Sequence, residues 1–304
     1  MTAALTSRET PAHESARSGD RTFGAVGAGA AGALGLVLIG VAASVLRLAW
    51  PALASDGTFW SLDWDPARGR IGGLSFLYGT IVTSLVALLL AVPVGLGVAV
   101  FLTDLGPRPL RRSVSSLIEL LAAIPSVVYG LWAALVLAPA LRDAISPGAA
   151  GGLFAGPNLG VGLLCASLVL AIMILPTIAA VTRDILRAVP AELREGALAL
   201  GATPWDVVRF VVVPHARRGI VGAVLLAFGR AVGETMAVAA VVGSRADVSL
   251  SLFSPGYTMS SVIANEFPAA SSDLHVAALA EVGVALFLVT VAFNVAARVL
   301  VRIK

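Results

Sequence analysis

Six runs of predominantly apolar residues dominate the sequence, and each is close to the roughly 20 residues that a helix needs to cross a hydrocarbon core. They lie near residues 24–49, 74–103, 114–140, 159–181, 219–243 and 274–297. The hydrocarbon core offers no water to backbone polar groups, so a spanning run of this kind must be helical. The 304-residue chain is therefore predicted to be an all-α integral membrane protein with six transmembrane helices.

Composition supports this class and leaves no room for a soluble domain. The chain is 58% hydrophobic and only 13% charged, with a mean hydropathy of +0.93. Residues 1–20 are polar and are predicted to be a disordered cytoplasmic tail, while residues 21–304 form the six-span domain. A cleaved signal peptide is an alternative for the first run, because Ala52-Leu53-Ala54 has the A-x-A form. The charge-free stretch from Thr22 to Leu46 is longer than a signal sequence, which favours a retained helix.

The distribution of basic residues predicts the orientation. Fifteen of the 21 basic residues fall in segments that this model places on one side, five fall on the other side, and Arg230 lies inside a span. Basic residues accumulate in cytoplasmic loops, so both termini and the loop at 183–218 are predicted to be cytoplasmic. Residues 51–73 and 244–272 are then external. The basic excess is explained by topology, and no nucleic-acid partner is expected.

The cytoplasmic loop between spans 4 and 5, residues 183–218, reads as two short helices around a turn. Gly201 is suited to end the first helix with positive φ, which glycine adopts at little cost. Thr203, Pro204 and Asp206 match an N-cap, a first-turn proline and a capping-box acid. The first helix is predicted to place Leu193, Ala197 and Leu200 on one face. The second is predicted to turn Trp205, Val208 and Val212 to one side and to end before Pro214.

Two other interpretations of this loop are weaker. A DNA-binding helix-turn-helix would need supporting helices, and about 36 residues between two spans leave no room for them. A merely solvated loop would not require so specific a pattern of turn residues.

Ionisable residues inside the spans are candidate functional groups, because a charge in the membrane is costly and must face a partner or a cavity. Counted along the helix from Gly219, Arg230 lies roughly 17 Å into the membrane, with Glu234 one turn deeper. They form either a buried ion pair or a pathway in which Arg230 contacts an oxyanion and Glu234 balances or gates it. Glu119 is near the cytoplasmic entry of span 3, and Glu281 lies deeper in span 6. Prolines within spans, including Pro125, predict bends.

No cofactor or metal site is expected. The sequence lacks the G-x-x-x-x-G-K-[ST] phosphate loop, so any ATP hydrolysis must take place in another chain. A single cysteine, Cys165, and three scattered histidines offer no metal-binding cluster.

Glu195-Gly196-Ala197, then three residues, Gly201, nine residues and Val211-x-Val213-Pro214 resemble the EAA motif of ABC importer permeases. The spacing matches throughout, with Gly196 at the second position and valines near the end. In that family the element is a coupling helix that docks on a cytoplasmic ATPase. The resemblance implies this role for Glu195, Gly196, Ala197, Gly201 and Pro214.

A narrower similarity covers most of the chain after residue 60. The stretch from Phe76 to Leu105, the preceding DWDPARGRIGGL and the segment AFGRAVGETMAVAAVVG resemble PstC-type permeases of phosphate-specific ABC importers. This implies ATP-driven phosphate import in the bacterial inner membrane with a second permease, two ATPase subunits and an extracytoplasmic phosphate-binding protein. Two alternatives remain: a membrane phosphate sensor that acts through the ATPase contact, and a proton-coupled transporter that uses Glu234 and Glu281.

Overall fold

The computed structural model describes residues 12–54, 58–145 and 152–303. Apart from single 3₁₀ turns, this part of the chain forms ten helices: α1 Ala12–Leu53, α2 Leu74–Leu105, α3 Arg108–Ala123, α4 Ser126–Ala144, α5 Leu163–Arg187, α6 Ala191–Ala199, α7 Pro204–Gly233, α8 Met236–Ala239, α9 Met259–Glu266 and α10 Asp273–Ile303. Of the predicted disordered tail, residues 1–11 lie outside the described residues. The backbone of residues 12–20 belongs to α1.

Six of these helices are long and apolar enough to cross a membrane, as the sequence predicts. They are α1, α2, α4, α5, α7 and α10, with the first spanning part beginning at Phe23. Four of them keep nearly the predicted bounds. The spans predicted at 114–140 and 219–243 differ from the structure.

The predicted span at 114–140 is two helices. The helix α3 ends at Ala123, Ile124 and Pro125 are extended with ψ of 127° and 143°, and α4 begins at Ser126. Proline has no N–H to donate and forces the preceding residue out of the helical region, so the ladder cannot continue through Pro125. The break is therefore complete, whereas the sequence predicted only a bend.

The predicted span at 219–243 is displaced toward the N-terminus. The helix α7 begins at Pro204 and passes Pro214 through a π-helical turn at Val208–Val212. Such a turn changes the hydrogen-bond register, so the missing N–H of a proline is tolerated there. The prediction that the coupling helix ends before Pro214 is thus wrong. The helix ends at Gly233, and Glu234 is extended with ψ of 128°.

The helix α5 lies at the centre of the bundle. It packs along α2, α7 and α3, and its apolar residues form most of the largest buried cluster together with α2 and α4 residues such as Ala87, Ala91 and Tyr129. The helix α1 packs along α10 at the periphery, with Ala52 buried against Ala277 and Ala278. Small residues at these contacts let the helix backbones approach closely.

The two ends of the bundle differ in structure. At one end, the last turn of α2 meets the start of α7 and contacts α6 through Asp104 and Arg194. At the other end, a two-stranded hairpin pairs β1 (Trp64–Asp65) with β2 (Arg70–Ile71). The Trp64 Nε1 donates to Glu266 Oε2 at 2.8 Å, which ties this hairpin to α9. The segments predicted as external thus lie together, opposite the coupling loop.

Candidate translocation and coupling sites

The turn of the coupling loop has the predicted local geometry. Gly201 has φ of +88°, and a Cβ built there would meet no atom within 4 Å. The Thr203 Oγ1 accepts from the Asp206 N–H at 3.2 Å, and Asp206 Oδ2 accepts from the Thr203 N–H at 3.1 Å, which completes a capping box. The Thr203 hydroxyl also donates to Asp206 Oδ2 at 2.6 Å. This hydrogen bond, together with the one from the Thr203 N–H, holds the pKa of the Asp206 carboxyl below its ordinary value. The predicted glycine and capping box are confirmed.

The predicted apolar faces of the two coupling helices are only partly right. Val208 and Val212 are buried among residues from the C-terminal parts of α2 and α5, and Ala197 is half-buried against them. Trp205 does not join them, because its side chain is 54% exposed, and Leu200 is 90% exposed. The helical register puts these two residues on the outer surface of the loop. This surface also carries Leu193, Leu198 and Phe210, all exposed.

The motif residues of this element are accessible. Glu195, Gly196, Gly201 and Pro214 are exposed, and Ala197 is half-buried. The Glu195 carboxylate forms no ion pair within the part of the chain that the structure describes. An exposed apolar surface of this extent on one short element is typical of a site that binds another protein.

An ion pair that the sequence analysis missed joins this element to span 2. Arg194 Nη1 contacts Asp104 Oδ1, and Arg194 Nη2 donates to the Leu186 carbonyl at 2.6 Å. The side chains of Arg194 and Asp104 are only 20% and 14% exposed, respectively. The two residues are 90 positions apart, so no local pattern could reveal the pair. We call Asp104 and Arg194 the cytoplasmic ion pair, because the sequence predicts that the loop carrying Arg194 is cytoplasmic.

A second arginine holds the Asp104 segment in place. Arg111 donates from Nη1 to the Thr103 carbonyl at 2.7 Å and from Nη2 to the Asp104 carbonyl at 3.0 Å. The Thr103 hydroxyl donates to Asp104 Oδ2 at 2.6 Å. Carbonyls at a helix C-terminus lack intrahelical donors, and a guanidinium satisfies several of them at once. The cytoplasmic ion pair therefore connects α6 to an end of α2 that the hydrogen bonds of Arg111 and Thr103 hold in place.

Arg230 lies in the last turn of α7, beside the break that separates α7 from α8. Its side chain is exposed in the isolated chain, and it forms no hydrogen bond or ion pair within the described residues. A guanidinium inside a membrane-spanning helix needs a partner that carries negative charge or acceptor atoms. The arrangement leaves all its donors available to such a partner.

Glu234 does not pair with Arg230, so the ion-pair hypothesis is wrong for this structure. Because α7 ends at Gly233, the two residues are not one helical turn apart. The half-buried Glu234 instead accepts from the Ala237 N–H through Oε1 at 3.2 Å, at the start of α8. Its backbone carbonyl accepts from Ser260 Oγ at 2.7 Å. Glu234 thus stabilises the break between α7 and α8.

The two broken spans meet beside Arg230. The helix α8 packs on α4 at Gly130, where an added Cβ would lie 3.0 Å from the Ala237 Cα. The neighbouring Tyr129 is close enough to Arg230 for an electrostatic interaction. Its hydroxyl donates to the Leu121 carbonyl at 2.8 Å and bridges the break at Pro125. Broken helices with free backbone donors and a central charge are typical of ion-binding sites in transporters.

The other two acidic candidates lie elsewhere. Glu119 is exposed on α3 and accepts from the Ser115 hydroxyl at 3.2 Å. Glu281 is buried on α10, and its carboxylate forms no hydrogen bond. Within the described ranges, no cluster of three or more histidine, cysteine or acidic side chains is arranged to hold a metal ion.

Comparison with known families assigns the class of protein. The family model for the binding-protein-dependent transport system inner membrane component matches residues 91–303. The chain belongs to this family of multi-span membrane permeases. The match covers the two broken spans, the coupling element and Arg230.

Individual relatives that match over most of the chain carry more specific names than the family model does. The phosphate transport system permease protein PstC of Mesorhizobium japonicum is 48% identical to this chain, and the match covers 86% of this chain and 84% of the relative. The protein of that name in Xylella fastidiosa is 44% identical, over 88% and 87%. A solved chain of the inward-facing MetNI methionine ABC transporter gives a TM-score of 0.61 at 22% identity, over 79% of this chain and 98% of that one. The last similarity supports the fold alone.

Proposed function

We propose that this chain is the membrane permease subunit of an ATP-driven importer and that it passes inorganic phosphate inward by alternating access. The observation that carries the proposal is the unpaired Arg230 where two broken spans meet. The guanidinium is planar and permanently charged, and it binds phosphate oxygens in a bidentate manner. The names of the 44–48% identical relatives support phosphate as the oxyanion.

The same helix connects this site to the coupling turn. The helix α7 is continuous from Pro204 to Gly233, so Arg230 and the capping box belong to one element. At 1.5 Å per residue, about 36 Å separates Asp206 from Arg230 along that helix. A packed helix that is continuous through its π-helical turn can carry a displacement from one end to the other. Movement of the turn by an ATPase subunit would then change the surroundings of Arg230 directly.

The partners follow from this assignment. A second permease would face the exposed side of Arg230, and two cytoplasmic ATPase subunits would bind the exposed apolar residues of the coupling element. An extracytoplasmic phosphate-binding protein would deliver the anion at the opposite end. We place the complex in the bacterial inner membrane, with the N and C termini in the cytoplasm. This chain acts as a transport subunit, and ATP is hydrolysed by the ATPase chains.

Uptake measurements on the complete transporter test the function. We expect the chain to co-purify with an ATPase and a second permease. We expect membrane vesicles to accumulate labelled phosphate only when ATP is supplied at the ATPase side. Uptake driven by a proton gradient without ATP would support the proton-coupled alternative. ATPase binding without any uptake would support the sensor.

Cysteine labelling tests the orientation. On a Cys165→Ser background, a cysteine at exposed Glu192 should react with a membrane-impermeant maleimide only after the cells are opened. A matched cysteine at Arg68, whose side chain is 78% exposed, should react in intact cells. Labelling of position 192 from outside would contradict the proposed topology.

The cytoplasmic ion pair should be needed for coupling. Either Asp104→Asn or Arg194→Gln removes a charge-assisted hydrogen bond at a partly buried site, and we expect about a tenfold loss of ATP-driven uptake. The double variant should be no worse than either single variant, because both remove the same contact. The ratio of phosphate transported to ATP hydrolysed measures this effect.

Asp184→Asn is the matched control for the ion pair. Asp184 also pairs with an arginine on the cytoplasmic side, but its side chain is 66% exposed, so the pair contributes little. We expect this variant to transport at the wild-type rate. Additive losses in the Asp104→Asn, Arg194→Gln double variant would mean that the two residues act separately.

A further inference from the structure

A groove of about 250 Å³ lies at the end of the bundle opposite the coupling element, where α1, α2 and α10 meet. Its walls are apolar except for one residue, Glu281. The wall residues Leu53, Trp60 and Leu288 are exposed, so the groove opens to the surface that faces lipid. It lies on the peripheral helices, away from Arg230 and from the coupling loop, and the transport site does not use it.

Within the described part of the chain, the Glu281 carboxyl group has no hydrogen-bond or ion-pair partner. The residue is 7% exposed, and its Oε2 is buried without a hydrogen bond. Among the residues that the structure describes, no arginine, lysine or histidine side chain lines the groove. Burial of an unpaired carboxyl group in apolar surroundings is costly, and such groups in proteins are normally bound to a donor. The groove therefore lacks a hydrogen-bond donor at one defined position.

The groove is polar at one end and apolar along the rest of its length. Glu281, Val284, Ala285, Leu288 and Val289 follow a spacing that forms one stripe along α10. The stripe runs from the carboxyl group toward the middle of the membrane span. Trp60 lines the same groove and is 69% exposed. Tryptophan side chains are typical of the headgroup level of a membrane. Because Trp60 and Glu281 line the same groove, the Glu281 carboxyl group lies close to that level.

We propose that this groove binds one phospholipid with a primary ammonium headgroup, such as phosphatidylethanolamine, from the external leaflet. The ammonium supplies three N–H donors and a positive charge to Glu281. One acyl chain lies along the stripe from Val284 to Val289. A choline headgroup has a similar charge but no N–H donor. An anionic lipid has no positive group for Glu281 and is repelled by a carboxylate.

Lipid competition on the purified full-length chain tests the proposal. The chain is equilibrated with equal amounts of phosphatidylethanolamine and phosphatidylcholine that carry the same acyl chains, and retained lipid is counted by native mass spectrometry. We expect about a tenfold preference for phosphatidylethanolamine in the wild type, because one charge-assisted hydrogen bond distinguishes the two lipids. Phosphatidylglycerol should be retained less than either.

Two variants distinguish the contribution of the Glu281 carboxyl group from that of the apolar groove. Glu281→Leu should retain both zwitterionic lipids equally, whereas Glu119→Leu, at an exposed acidic residue, should keep the wild-type preference. Ala285→Phe keeps Glu281 but fills the groove, and it should lose the bound lipid altogether, which provides a test even if Glu281→Leu does not fold. Equal retention of the two lipids by the wild type would overturn the proposal. An unchanged preference in Glu281→Leu or Ala285→Phe would do the same.

Discussion

Replacement of Arg230 by alanine should reduce phosphate uptake about a hundredfold and leave the amount of protein in the membrane unchanged. Two charge-assisted hydrogen bonds to an oxyanion account for a loss of this size. Abundance should not change, because the Arg230 side chain is exposed and forms no hydrogen bond or ion pair within the described residues. Uptake of labelled phosphate, normalised to membrane abundance by immunoblot, measures both effects.

Arg230→Lys distinguishes charge from geometry at the same position. Lysine keeps the positive charge but cannot form the planar bidentate contact, so we expect a loss of about tenfold, between the wild type and Arg230→Ala. Arg245→Ala is the control, because Arg245 is also exposed but lies in the segment that is predicted to be external. Normal uptake in Arg230→Ala would exclude Arg230 from the pathway. A fall in abundance that accounts for the whole loss would make it a packing residue.

Gly201→Val should uncouple ATP hydrolysis from transport. Valine at φ of +88° is strained by about 1–2 kcal/mol, and the turn should rearrange to relieve the strain. The helix α7 then begins in a different direction relative to α6, and the exposed residues Leu200 and Trp205 no longer present one surface to the ATPase. We expect roughly a tenfold loss of phosphate transported per ATP hydrolysed, with normal membrane insertion.

Gly196→Ala is the matched control for this variant. Gly196 lies within α6 at ordinary helical φ, and an added Cβ would meet no atom within 4 Å, as at Gly201. Alanine inside a helix is more favourable than glycine by about 1 kcal/mol, so coupling should be kept. The two variants differ chiefly in backbone strain. Equal defects in both would mean that the ATPase contacts the glycine surface itself, and normal coupling in Gly201→Val would exclude a role for the turn.

The residues changed in these variants lie in α7 or in the elements beside it. The Gly201 turn precedes α7, Arg230 lies near its other end, and the cytoplasmic ion pair joins the preceding helix α6 to α2. Displacement of the coupling element would therefore reach span 5 through the backbone and span 2 through Asp104. We expect defects at Gly201 and Asp104 to change the coupling ratio, and defects at Arg230 to change transport itself.

The sequence alone determined the features that depend on local backbone chemistry. Apolar runs of about 20 residues must be helices in a membrane, so all six spans were predictable. Gly201 and the Thr203–Asp206 capping box were predictable for the same kind of reason. A positive φ and an N-cap are decided by a few neighbouring residues. The EAA spacing indicated the family, which the match over residues 91–303 confirms.

Only the tertiary structure decided how these elements are divided and joined. The helix α7 ends before Glu234 because the carboxylate accepts from the Ala237 N–H and the carbonyl accepts from Ser260, a residue of α9. Ser260 lies outside residues 219–243, so the sequence of that segment alone does not reveal its contact with Glu234. The partnership of Arg194 with Asp104 and the isolation of Glu281 likewise depend on distant segments. In each case burial removes water from a polar group, which costs free energy unless a partner replaces the water. Only the packing of the helices determines which partners are within reach.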